Sequence, residues 1–314
     1  MSKGGTLNLD FNIIINQILV LFIIIFVGYI LRKYGHINEK LSEGLSRLLI
    51  EVTIPALIIS SMTIKINAEL ITNIKLISII TVIIYISIII VANIITRYLN
   101  LSSARKKVFI FALVFGNVGF MGYPVLEAIY PEMGIFYGLF NNITFNILLW
   151  TYGVYLYTSN KDNENSFKLK HLINHGIIAV IIGFIILLSG INLPKPITGA
   201  LDYLGHMTFP LSMLIIGSSL ASISFKNIVS NKYLYLLSGI KLLMIPFAFY
   251  LILKQFSLPG VVNNVNIILV AMPSAANTVV FAERFGGDYK FASEIVFITT
   301  LLSLITIPFF VSLL

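Results

Sequence analysis

Ten times along this chain a run of about twenty residues passes with almost no charge, and short polar stretches separate the runs. The first, Ile13 to Leu31, sets the pattern. A bilayer core about 30 Å thick takes roughly 20 helical residues to cross. The runs are too long, and too apolar on every side, for barrel strands of about 10 alternating residues. With 58% hydrophobic and 11% charged residues, a water-soluble domain has too little polar surface to cover the rest. The fold class expected is therefore an all-α polytopic membrane protein. Its spans are read at about 12–32, 44–63, 72–96, 106–130, 133–157, 172–190, 198–222, 233–253, 261–284 and 291–313. The first run lacks a basic leader with a small-residue cleavage site, so it reads as a span rather than a signal peptide.

The cations give the orientation. Arg32, Lys33, Lys40, Arg47, Arg97, Arg105, Lys106, Lys107, Lys161, Lys168, Lys170, Lys226, Lys232, Arg284 and Lys290 fall on one side. Only Lys3, Lys65, Lys75, Lys195 and Lys254 fall on the other, and Lys241 lies within a span. By the positive-inside rule the first side is cytoplasmic, and both termini lie outside. The net charge of +8 thus reads as a topology signal, not as a nucleic-acid surface. Abundant isoleucine and short loops point to a prokaryotic plasma membrane.

A repeat is legible too. A shift of 155 carries Gly28 onto Gly183, Gly35 onto Gly190, Thr53 onto Thr208 and Pro55 onto Pro210. A shift of 156 carries Glu127 onto Glu283 and Glu132 onto Asp288. The organisation read from this is a first five-helix repeat over 1–157, a cytoplasmic linker over 158–171 and a second repeat over 172–314. Five spans per half is an odd number, so the halves lie in opposite membrane orientations.

Two spans are broken by their own sequence: the fourth at GNVGFMGYP, Gly116–Pro124, and the ninth at AMPSAAN, Ala271–Asn277. Asn117 lies about 16 Å along its helix, near the midplane. Proline removes a donor and glycine loosens the chain, and the freed backbone must line an enclosed cavity rather than face lipid. Pro124 and Pro273 suit the first turn of a restarting helix, whose positive N-terminal end attracts a carboxylate. The candidate substrate-binding residues are Asn117, Gly119, Gly122, Pro124, Asn142, Asn146, Pro273, Ser274 and Asn277. Against them stands a purely structural role: amides capping loose backbone or bridging helices, as Asn141, Asn142 and Asn146 could do. Lys241 could neutralise the anion, or snorkel to the interface. Glu51 and His206, each four residues before a repeat-related proline, could carry a proton.

The quoted breaks, with FPLSMLIIGSSL (Phe209–Leu220), KLLMIP (Lys241–Pro246) and TTLLSLITIPF (Thr299–Phe309), resemble the auxin efflux carrier family over nearly the whole chain. That family includes plant auxin exporters and prokaryotic transporters of malonate, malate and other organic acids. The resemblance implies a homodimer of two inverted five-helix repeats. Substrate would bind where broken helices four and nine cross, and an elevator-type bundle (spans 3–5 and 8–10) would move against a scaffold (spans 1, 2, 6 and 7). The chain lacks the long central loop of the plant exporters, and Ala-Ala-Asn follows its MPS where they carry apolar residues.

The function expected is secondary transport, as export, of a small organic carboxylate anion across the lipid bilayer. Two alternatives stand beside it: a membrane sensor using the same pocket, and a sodium-coupled organic anion symporter akin to bile-acid carriers. No cofactor, metal or nucleic-acid partner is expected. There is no HExxH, GxSxG or Walker motif, no cysteine, and only four scattered histidines, so an enzyme is not expected either.

Overall fold

The computed structural model describes residues 11–63, 67–131, 133–158, 175–191, 193–221 and 231–314. Glu132 and all of the central polar stretch beyond Thr158 lie outside these. The described residues are entirely helical apart from loops and one two-residue bridge. In chain order the helices are α1 (Phe11–Lys33), α2 (Glu39–Ser61), α3 (Ala68–Arg97), α4 (Ser103–Val114) and α5 (Val118–Ile129). Then come α6 (134–158), α7 (His175–Ser189), α8 (Lys195–Ala221) and α9 (Lys232–Leu253). Last are α10 (Gly260–Val270), α11 (Asn277–Phe285) and α12 (Tyr289–Ser312). Among them α2, α3, α8, α9 and α12 are each long and apolar enough to cross a membrane unaided. The chain is a polytopic membrane protein.

Proline placement explains the local shape of three of these helices. Pro55, Pro124 and Pro246 each stand two residues beyond a wide, π-type turn: Leu49–Thr53, Val118–Gly122 and Ile240–Met244. In each case the N–H of the residue before proline reaches back five positions, Ile54 to Leu49, Tyr123 to Val118 and Ile245 to Ile240. A proline ring collides with the carbonyl four residues earlier and offers it no donor, so the preceding turn widens to relieve both defects.

Helices α1, α2, α7 and α8 pack on one another: α1 along α8, and α2 between α7 and α8. The other helices gather around α3, α4 and α12, where the buried aromatic core lies. Polar side chains tie this second group within the apolar interior. Thr81 on α3 donates to Asn266 Oδ1 on α10 at 2.9 Å, and Asn141 on α6 donates to Thr81 at 3.2 Å. Asn73 and Asn93 on α3 bond the hydroxyls of Tyr137 and Tyr152 on α6. Asn141 therefore takes the bridging role set against a binding one.

The α1–α8 contact depends on two glycines. A Cβ on Gly28 would strike the Leu214 carbonyl, and one on Gly217 the Ile25 carbonyl. Backbone cannot yield as a side-chain tip can, so the helices would have to part. Gly217→Ala is expected to destabilise the folded protein by about 1–3 kcal/mol, the usual cost of overpacking. A thermal-unfolding series in detergent checks this, with Gly199→Ala, which has open space, as the control.

At the end carrying the basic loops, Arg105 in the first turn of α4 meets Asp288, the N-cap of α12, at 2.8 Å. Burial raises the proton affinity of Asp288. The Arg105 bond, the Phe291 N–H and the charges of Arg105 and Lys290 outweigh it and hold the carboxyl below its ordinary range. A depressed value means the pair's stabilisation is complete above the unfolded value, about 3.9, and fades as pH falls through the lower folded one. Arg105→Gln should therefore lower stability by about 1 kcal/mol or less at pH 7. The difference from wild type should shrink below about pH 4, which melting curves across pH would record.

Candidate functional site

Helix α4 stops at Val114, Phe115 and Gly116 run extended, and Asn117 turns into the start of α5. Helix α10 stops at Val270, and Met272 to Ala276 connect it to α11. At the crossing the two extended pieces pair as an antiparallel bridge between Gly116 and Ser274. The Asn117 N–H donates to the Pro273 carbonyl at 2.7 Å, and the Ala275 N–H to the Phe115 carbonyl at 3.0 Å. Each break thus satisfies part of the backbone that the other leaves open. Ser274 adds a bond from its hydroxyl to the Ala112 carbonyl at 3.1 Å.

Pro273 corrects one expectation. It lies in the extended connection, four residues before α11, and not in the first turn of the restarting helix, where Ala276 is the N-cap. Its carbonyl, as acceptor for Asn117, is what the crossing uses. Pro124 does stand in the first turn after its wide turn, as its spacing predicts.

The crossing has two chemically distinct faces. On one, the last residues of α4 and α10 (Val114, Leu269 and Val270) surround a small cavity with Gly116, Asn141 and Lys241. Lys241 is 2% exposed, and its Nζ donates to the Leu113 carbonyl at 2.9 Å. A cation here offsets the negative ends of two helices. Lys241 does not snorkel, and it lines the small cavity rather than the larger one.

On the other face the first residues of α5 and α11 open into a cavity of about 260 Å³, close to the lower end of small-molecule sites, roughly 300–1,000 Å³. Asn117, Gly119, Asn142, Asn146 and Asn277 all line it. The N–H groups of Gly119 and Phe120 on α5, and of Ala276 and Asn277 at α11, have no acceptor among the described residues. Among those residues the side-chain amides of Asn117 and Asn277 make no hydrogen bond either. Asn117, 7% exposed, sits in a tight turn (φ −78°, ψ 62°) in which the Val118 N–H bonds back to Gly116. That turn is what brings its side chain to the cavity wall. A Cβ on Gly119 would meet nothing within 4 Å, so the cavity reaches the backbone there.

Asn142 and Asn146 are held by their own helix. Asn146 donates to both the side-chain and backbone oxygens of Asn142, and Asn142 donates to the Tyr123 hydroxyl at 2.7 Å. Tyr123 is a positioning group that the sequence reading did not single out. Gly122, Pro124, Pro273 and Ser274 lie behind the wall: Gly122 faces Leu269, and all four are buried. The opposite wall is apolar, with Ile50, Ile54 and Ile58 from α2 and Phe145, Leu149 and Trp150 from α6. No charged side chain lines this cavity among the described residues.

Glu51 is exposed on the wide turn of α2, and among the described residues no bond joins it to His206. His206 instead lines a separate cavity with Glu127 and Asp202.

A family model described as membrane transport protein matches residues 13–311. An uncharacterized transporter of Methanothermobacter thermautotrophicus is 27% identical over 292 residues, covering 93% of this chain and 95% of the relative. One from Methanocaldococcus jannaschii is 24% identical over 305 residues, covering 92% and 95%.

Proposed function

Because the chain belongs to the membrane transport protein family, the auxin efflux carriers it resembles, we propose that it exports a small organic carboxylate by alternating access. The observation that carries this reading is the convergence of two helix starts, with their free N–H groups, and two unbonded amides on one cavity at the crossing. Such groups suit an oxyanion. With no cation in the wall among the described residues, they suit one negative charge better than two, and the isoleucine and aromatic side suits an apolar body. The substrate is therefore read as a monocarboxylate with an apolar body.

The architecture proposed is two inverted five-helix repeats, with α4–α5 and α10–α11 as the broken spans. In its support, Gly35 and Gly190, related by the repeat, are both left-handed, at φ 80° and 63°. Likewise Gly28 and Gly183 both mark close approaches, Gly28 to α8 and Gly183 to Met62 of α2. The separate packing of α1, α2, α7 and α8 favours these as a stationary scaffold, through which a homodimer would form. The remaining helices would carry the substrate past it in the manner of an elevator. The cavity also borders Ile50, Trp150 and Gly176, near the ends bearing the basic loops, so this arrangement is read as open to the cytoplasm. An anion leaving a negative interior gains about 2.3 kcal/mol per charge for each 100 mV, enough to drive export without a coupling ion.

Purified protein in liposomes tests the proposal. Voltage-driven flux of an aromatic or branched monocarboxylate should exceed that of malonate or malate by about tenfold or more, since a second buried charge has no partner here. Equal flux for dicarboxylates would overturn the substrate reading, and saturable binding without flux would favour a sensor. Flux that depends on sodium would favour the symporter.

A further inference from the structure

A second cavity, of about 180 Å³, lies apart from the crossing and away from the basic loops. Its walls come from both packing groups. Glu127 near the end of α5, Pro131, and Ile135 of α6 form one side, and Ser60 and Ser61 of α2 with Asp202 and His206 of α8 form the other. The Ser60 hydroxyl donates to Asp202. Glu127 is half-buried and has no hydrogen bond or ion pair among the described residues. The His206 ring rests against Phe209 at 6.1 Å and is otherwise open to the cavity. Among the described residues, the ionisable groups that line this cavity with Glu127 are Asp202 and His206, both from α8. Of those residues, α2 and α6 contribute hydroxyls, a leucine and an isoleucine, and α1 and α10, which also pack on α5, contribute no charge to it.

We propose that Glu127, with Asp202 and His206, forms a proton-binding site that links the position of α5 to the pH on the side opposite the basic loops. An uncompensated carboxylate within a membrane protein is costly, and a proton removes that cost without any counter-ion. A proton on His206 acts in the same direction, since it adds a cation to a cavity that two carboxylates line. Acid therefore favours the arrangement seen here, in which Glu127 faces α8. The same helix that ends near Glu127 begins at the substrate cavity, and eight residues, or about 12 Å, separate Gly119 from Glu127. A shift of α5 against α2 and α8 would change the surroundings of Glu127 and re-expose the substrate cavity together. Proton affinity that differs between two positions shifts their populations by linkage. The inference rests on the reading of α2 and α8 as stationary.

The chain has no cysteine, so one introduced at the cavity reports alone. In liposomes with the basic-loop face outward, Ala276→Cys would be modified by an impermeant maleimide at constant outer pH while lumenal pH is varied. Acidifying the lumen from about 7.5 to 5.5 should raise the modification rate by up to about tenfold for each pK unit by which the two positions differ. Adding Glu127→Gln, which is isosteric with the protonated acid, should give the fast rate at both pH values, and a rate matching the parent at low pH establishes that the variant is folded. Adding His206→Ala should shift the midpoint of the response. A flat response in the parent, or a full response retained in Glu127→Gln, overturns the proton site. Monocarboxylate flux in the same vesicles separates the two readings. Flux with no pH response removes the proton site alone, and a Glu127-dependent response with no flux removes transport alone.

Discussion

Replacing Asn117 by alanine should leave the fold intact and lower carboxylate flux at least tenfold. The fold survives because everything structural at this residue is backbone. Its N–H bonds Pro273, its carbonyl accepts from Met121 and Gly122, and its turn suits alanine as well as asparagine. What the substitution removes is an amide with no other partner at the wall of the cavity. A hydrogen bond to a charged group contributes about 1.5–3 kcal/mol, and 1.4 kcal/mol corresponds to a factor of ten. Asn117→Asp should fail more completely, since it sets a second negative charge beside the substrate. Flux with the melting temperature measured in parallel is the check. An Asn117→Ala protein that melts early would mean the amide serves structure, and one with normal flux would remove it from the site.

Lys241→Met should act the other way, on stability more than on substrate affinity. The Nζ is bonded to Leu113 and lies among the ends of α4 and α10, where unpaired carbonyls concentrate negative charge. Without it, at least one buried carbonyl loses its partner, at a cost of about 1–3 kcal/mol. The protein should melt several degrees lower, while the KM of the folded fraction stays near wild type. A normal melting temperature with a raised KM would mean that the charge acts on the anion after all.

The helical runs were legible because a bilayer offers a backbone no alternative to bonding itself, and the breaks were legible because glycine and proline cannot serve an unbroken span. Rotation about each helix axis was not legible. These helices are apolar on nearly every side, so no amphipathic stripe separates the inward from the outward face. At the asparagines of α6, spacing did group Asn142 with Asn146, which line the cavity, while Asn141 braces α3. Glu51 and His206 are equivalent in the repeat, yet their surroundings differ: Glu51 is exposed on α2, and His206 lines a cavity with Glu127 and Asp202. Glu127 had been noticed as a landmark only. Its company with Asp202 emerged only from the cavity that both line. The displaced role of Pro273 follows from the connection, Met272 to Ala276, that bridges to the α4 break, and no local propensity encodes it.

The pairing of Gly116 with Ser274 also orders the assembly of the chain in the membrane. More than 150 residues separate the two strands, so the first break is synthesised and inserted long before its partner exists. During that interval the Phe115 carbonyl and the Asn117 N–H have only water or the insertion machinery to bond, and lipid offers neither. The amino-terminal half must therefore wait, sheltered and partly hydrated, until Pro273 and Ala275 arrive. Truncation after α9 should leave a product that cells recognise as unfinished, however apolar its helices are.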